Sequence, residues 1–132
     1  MKVKEGDIFT IPGTSNFGVA KVIYLSEYFK DVILIKLYQV SYDSQVDISI
    51  PEGAEFSLYY TGIDSVKKGK WEYLGCEAVG AEEKQLTKRI VGGDVWIEDQ
   101  HLGTASEKER VELPKMQTYG YRLIEKAVTS LS

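Results

Sequence analysis

At 132 residues the chain is long enough for one hydrophobic core and too short for two well-buried ones, so a single domain over residues 1–132 is expected. Its 43% apolar and 27% charged content excludes disordered and fibrous classes, and a net charge of −4 argues against non-specific nucleic-acid binding, which draws on Lys and Arg displacing counterions. The longest apolar run, around residues 32–37, falls far short of the roughly 20 residues that a membrane helix needs.

The start reads as β-structure. Gly6-Asp7 marks a turn, Ile8-Phe9-Thr10-Ile11 a strand, and Pro12-Gly13 its end. A small polar loop follows, then an apolar stretch over residues 17–25. Residues 32–40 form the strongest strand signal, β-branched and nearly continuous in hydrophobicity, which predicts a central strand covered on both faces.

Ile48-Ser49-Ile50 alternates and halts at Pro51-Glu52-Gly53. Residues 54–60 predict another strand, with Phe56, Leu58 and Tyr60 on one face and Tyr59 on the other. Residues 66–70 read as a hairpin loop leading into Trp71-Glu72-Tyr73-Leu74. Residues 82–88 are charged without an apolar face, which suits a loop or a short helical turn.

Residues 89–97 read as two strands around Gly92-Gly93, a pair that permits either a type I′ hairpin turn or a bulge in one longer strand. Residues 102–105 suit a return strand. Near the end, Leu123, Ile124, Ala127, Val128 and Leu131 recur at helical spacing after Tyr119-Gly120, predicting an amphipathic helix of about three turns. The fold class expected is α+β, mostly β: a strongly twisted antiparallel sheet or partly closed barrel with a C-terminal helix.

Catalytic chemistry is hard to assemble from this inventory. His101 is the only histidine and sits in the polar string Glu98-Asp99-Gln100-His101, which suits an exposed turn. Cys76, the only cysteine, lacks a basic sequence neighbour and reads as buried and inert. One His and one Cys do not make a structural zinc site, and no phosphate-loop glycine pattern opens a helix. No catalytic residue, metal or cofactor is therefore assigned. A single cysteine and an N-terminus without an apolar leader suggest a cytoplasmic protein without membrane association.

Charge is unevenly placed: residues 1–66 hold five Lys and nine Asp or Glu. Between Lys36 and Lys67 there is no Lys or Arg, while Asp43, Asp47, Glu52, Glu55 and Asp64 fall there beside tyrosines that include Tyr59 and Tyr60. Acids interleaved with aromatics suit a basic protein partner. They suit a solvated sheet edge, kept from aggregating by its charge, somewhat better.

Three stretches resemble the immunity protein 26 family. The first is Gly6-Asp7-Ile8-Phe9-Thr10-Ile11-Pro12, followed by Phe17-Gly18-Val19-Ala20-Lys21-Val22. The others are Gly92-Gly93-Asp94-Val95-Trp96-Ile97, and Leu113-Pro114 with Gly120. Lys21 stands where the family pattern has Arg, and Ala20 where a Gly is usual. The resemblance implies a bacterial immunity protein that binds and neutralises a cognate toxin domain without catalysis. The alternative function is a small SH3-like or Tudor-like adaptor, with Tyr59, Tyr60 and Trp71 forming an aromatic cage for a peptide.

Overall fold

A computed structural model describes residues 2–45, 48–50 and 52–131. The protein is mostly β and is built on two sheets. The larger contains β1 (Asp7–Pro12), β2 (Phe17–Leu25), β3 (Val32–Tyr38), β4 (Phe56–Gly62), β5 (Glu72–Cys76) and β9 (Thr118–Tyr119), in the order β5-β1-β2-β3-β4-β9. The smaller is a meander of β6 (Arg89–Val91), β7 (Asp94–Ile97) and β8 (Gln100–Thr104). Helices α1 (Ser65–Lys68), α2 (Ala81–Gln85), α3 (Glu107–Glu112) and α4 (Tyr121–Thr129) complete it.

The large sheet stays open, with β5 and β9 as its edges, so the barrel alternative does not form. It is also mixed, because β9 runs parallel to β4. As its unbroken apolar sequence predicts, β3 lies inside the sheet. Its Ile33, Ile35 and Leu37 face one side, and Leu34 and Tyr38 the other.

The inner face is an apolar layer. Phe9, Ile11, Ala20, Val22, Ile33, Ile35 and Leu37 pack there beneath Ile124 and Val128 of α4, with Val66 and Trp71 closing one flank. Gly18 permits this helix to sit close, because a Cβ there would meet Val128 Cγ2 at 3.0 Å. Leu123, counted with the apolar stripe from sequence, is 46% exposed: at the start of the helix it turns away from the sheet.

Two sequence expectations are corrected here. Residues 66–70 do not link neighbouring strands, because β5 pairs with β1 rather than with β4. They instead close α1 and a tight turn at Lys70 (φ 55°), which carries the chain to the opposite edge of the sheet. Cys76 is exposed rather than buried, because β5 is an edge strand.

The outer face is divided. Ile8, Val19 and Tyr38 form an apolar cluster against which Tyr42, Ile48, Ile50 and Ala54 pack, while Ile23, Tyr24, Leu34 and Tyr60 form a second one. Burial pushes the Tyr38 and Tyr60 hydroxyls up to about 12. Between the clusters lies Lys21, fully buried, donating to Glu77 Oε1 (3.1 Å), Ala78 O (2.9 Å) and Glu83 Oε1 (2.8 Å). Glu83 Oε2 also accepts from Lys36 at 3.3 Å. Burial alone would raise the Glu83 carboxyl, but the bonds from Lys21, Gly80 N–H and Lys36 outweigh it and hold the group below its usual range.

Candidate partner-binding surface

A bulge in the large sheet and two side chains of the small one, Arg89 and Asp99, help to join the two. In the β2–β3 pair the register shifts between Val22 and Tyr24, so Ile23 is an extra residue. Strict alternation would place Tyr24 with Val22 on the inner face. The bulge turns it outward, edge-on to Tyr60 at 6.5 Å.

Arg89 enters this corner fully buried. Its guanidinium carbon lies 5.4 Å from the Tyr24 ring centre, 5.3 Å from that of Phe29 and 5.4 Å from that of Tyr60. Nη1 donates to Thr87 O (3.1 Å) and Glu98 O (2.6 Å), and Nε has no hydrogen-bond partner. Aromatic faces and carbonyls, rather than a carboxylate, compensate this charge.

Asp99 supplies the second link. It sits in the two-residue turn between β7 and β8, where Glu98 takes a positive φ of 50°. One oxygen accepts from the Tyr24 hydroxyl and from Ser26 Oγ (2.6 Å). The other accepts from the backbone N–H of Glu27 (2.8 Å) and Tyr28 (3.3 Å). Partial burial would raise its carboxyl, yet the bonds from Ser26, Tyr24, Glu27 and Tyr28 together hold it low. One carboxylate thus fixes the β2–β3 turn against the small sheet.

That bracing presents a row of rings at the surface. Tyr28, 65% exposed, lies 4.9 Å from both Phe29 and Trp96 between ring centres. Trp96 is 5.2 Å from Phe29 and 5.1 Å from His101. Asp94 and Trp96 share a face of β7, and His101 Nε2 lies 2.8 Å from Asp94 Oδ2. His101 is exposed as expected, though on a strand rather than in a turn. Acids neighbour these rings along the chain. Glu27 precedes Tyr28, and Glu98 follows β7. Glu5 lies close enough to both Glu98 and Asp99 that burial, then Glu98, raises its carboxyl.

The residues proposed from sequence as a contact surface are not gathered in this way. Asp43, Glu52 and Glu55 are exposed on the connection from β3 to β4, whereas Asp64 lies beyond the far end of β4, bonded to Lys68 at 2.9 Å. Tyr59 faces the inner core and Tyr60 the outer one. Asp47 lies outside the described residues. Nor do Tyr59, Tyr60 and Trp71 form a cage, because Trp71 is buried on the inner side, across the sheet from Tyr60.

The braced rings leave no local sequence pattern, because Phe29, in the turn between β2 and β3, and Trp96, on β7, are 67 residues apart. Adjacent aromatics at a turn, Tyr28-Phe29 before Lys30-Asp31, were the available signal. A surface recess of about 600 Å³ lies elsewhere and is lined by Lys2, Val3, Ile63, Val66, Lys67 and Trp71, without a carboxylate, imidazole or thiol. Among the described residues no three His, Cys, Asp or Glu side chains converge as a metal site requires, and no helix is long and apolar enough to cross a membrane. No protein-family model matches the sequence, and comparison with curated proteins and with solved structures returns no match.

Proposed function

We propose that this chain is a protein-binding domain that neutralises a cognate bacterial toxin domain in the cytoplasm without catalysis, as its resemblance to immunity protein 26 implies. The observation that carries this reading is the braced aromatic surface of Tyr28, Phe29 and Trp96. Interfaces take most of their energy from a few aromatic anchors. Anchors already held in place lose little freedom on binding, and here Asp99 holds the turn that carries Tyr28 and Phe29.

The residues behind the resemblance divide in a way that supports the same reading. Gly6 adopts φ 93°, and a Cβ on it would come within 2.6 Å of Glu77 O; Phe9 and Ile11 fill the core; Gly18 admits α4. Those are demands of folding. Trp96 is different, being partly exposed on a short strand among other rings. A large aromatic left at the surface is easier to explain by contact than by packing.

Co-expression with the gene immediately upstream tests the proposal. The expected result is rescue of growth from a toxic C-terminal domain and a one-to-one complex on size-exclusion chromatography. A neighbouring product that is harmless, or toxic with no rescue, defeats it.

A further inference from the structure

We infer that the Tyr28–Trp96 surface receives an arginine side chain from a basic segment of the partner, an inference that rests on the protein-binding reading above. Three observations select this occupant. The first is ring geometry: Tyr28 and Trp96 are 4.9 Å apart with planes inclined at 32°, and Tyr28 is 65% exposed, so this tilted pair leaves aromatic surface within reach of another flat group. Arg89 already lies against Phe29 from inside, so Tyr28 and Trp96 supply the platform for an incoming cation.

The second is charge. Glu27, Asp94 and Glu98 flank the platform in sequence and register, with Glu5 and Asp99 close behind Glu98. Against these stand Lys30, beside the turn, Lys84, near Glu5, and buried Arg89, whose guanidinium carbon lies 5.3 Å from the Phe29 ring centre, so the acids outnumber the cations five to three. The balance favours a cation, and opposite potentials speed its encounter. The third is the fold's own precedent: Arg89 is held in this corner by aromatic faces and carbonyl oxygens. A planar guanidinium can stack on the outer rings while donating to a rim carboxylate, which a compact ammonium does less well.

The experiment uses the full chain labelled with ¹⁵N and two probe peptides, Arg-Gly-Arg-Gly-Arg and the same sequence with citrulline replacing arginine. Trp96 and Trp71 are the only two tryptophans, and Trp71 is buried on the opposite side of the large sheet, which makes it an internal control. The arginine peptide is expected to shift the Trp96 indole N–H and leave that of Trp71 in place, with the citrulline peptide at least fivefold weaker. Tyr28→Ala, at an exposed position, should weaken the arginine peptide severalfold with an unchanged melting temperature. The combined Asp43→Lys, Glu52→Lys and Glu55→Lys variant should retain the Trp96 shift.

Equal shifts from both peptides, or a Trp96 signal that never moves, overturn the inference. Against the upstream toxin domain, Tyr28→Ala with Trp96→Phe should lower affinity at least tenfold. If this pair binds and rescues like the parent, the arginine site falls while the immunity role stands. If the parent binds no toxin yet the arginine peptide still shifts Trp96, the immunity role falls and the site stands.

Discussion

The two faces of the large sheet are stabilised by different physics. Against α4, every large side chain at the centre is apolar, and its value comes from surface removed from water. On the other face the apolar clusters are separated by Lys21 and Glu83 and bordered by Arg89 and Asp99, groups whose burial is costly unless each finds a partner. The first kind of packing is tolerant: shape and volume suffice. The second is particular, because one missing partner leaves a charge in a dry place. It is the second that positions the proposed contact surface.

The largest expected effect lies on the apolar side. Phe9 is fully buried, with Trp71 and Tyr73 rings at 6.3 and 6.0 Å. Phe9→Ala should cost about 3–5 kcal/mol in urea denaturation, and the cost should change little with salt. A strongly salt-dependent loss would break the division between the faces.

Next comes Glu83, the carboxylate shared by Lys21 and Lys36. Glu83→Ala strands a buried ammonium that keeps Glu77 and the Ala78 carbonyl, so a loss of about 2–4 kcal/mol is expected, somewhat below that for a wholly orphaned charge. Lys21→Met should be far milder, within about 1 kcal/mol, because it fills the same space and leaves Glu83 with Lys36 and the Gly80 N–H. If the methionine variant is the worse of the two, the pairing argument is wrong.

Asp99 sharpens the comparison through pH. Its folded carboxyl is held below the ordinary value, so the unfolded chain takes up the proton first and stability rises with pH in that range. The contribution is complete above the unfolded value near ~4 and is lost as pH falls through the lower folded value. Glu83 acts in the same direction. Asp99→Asn should therefore flatten the acid limb of a stability profile and cost about 1–3 kcal/mol at neutral pH. An unchanged acid slope in that variant would remove Asp99 as the brace.

Legibility from sequence follows the same division. The β3 strand and α4 are legible because each is a local pattern, a β-branched run and apolar residues at helical spacing; Gly92-Gly93 leaves a hairpin and a bulge both open, and the structure takes the hairpin, with φ of 57° and 90°. The capping box of Ser106 and Glu109, which opens α3, is equally local, a Ser-x-x-Glu pattern at the start of the helix. What could not be read is what depends on partners far along the chain. The choice of β1 by β5, the two-residue parallel β9 and the bulge at Ile23 leave no periodic trace. Glu98-Asp99 looked like any polar turn. Its meaning depends on Tyr24 and Ser26, more than seventy residues earlier.

The smallest expected effect tests whether burial or distance governs these ion pairs. Asp64 and Lys68 approach to 2.9 Å, almost the 2.8 Å of Lys21 and Glu83, and their carboxylate is likewise held low, first by the hydrogen bond from Lys68. Yet both side chains are about 60% exposed, at 61% and 62%, where water and salt screen the attraction and ordering two mobile chains offsets it. Asp64→Asn should leave the urea midpoint within experimental error at both low and high salt. A clear loss of stability there would mean that contact distance, rather than exclusion of water, sets the worth of a charge pair in this protein, and the contrast between its two faces would lose its basis.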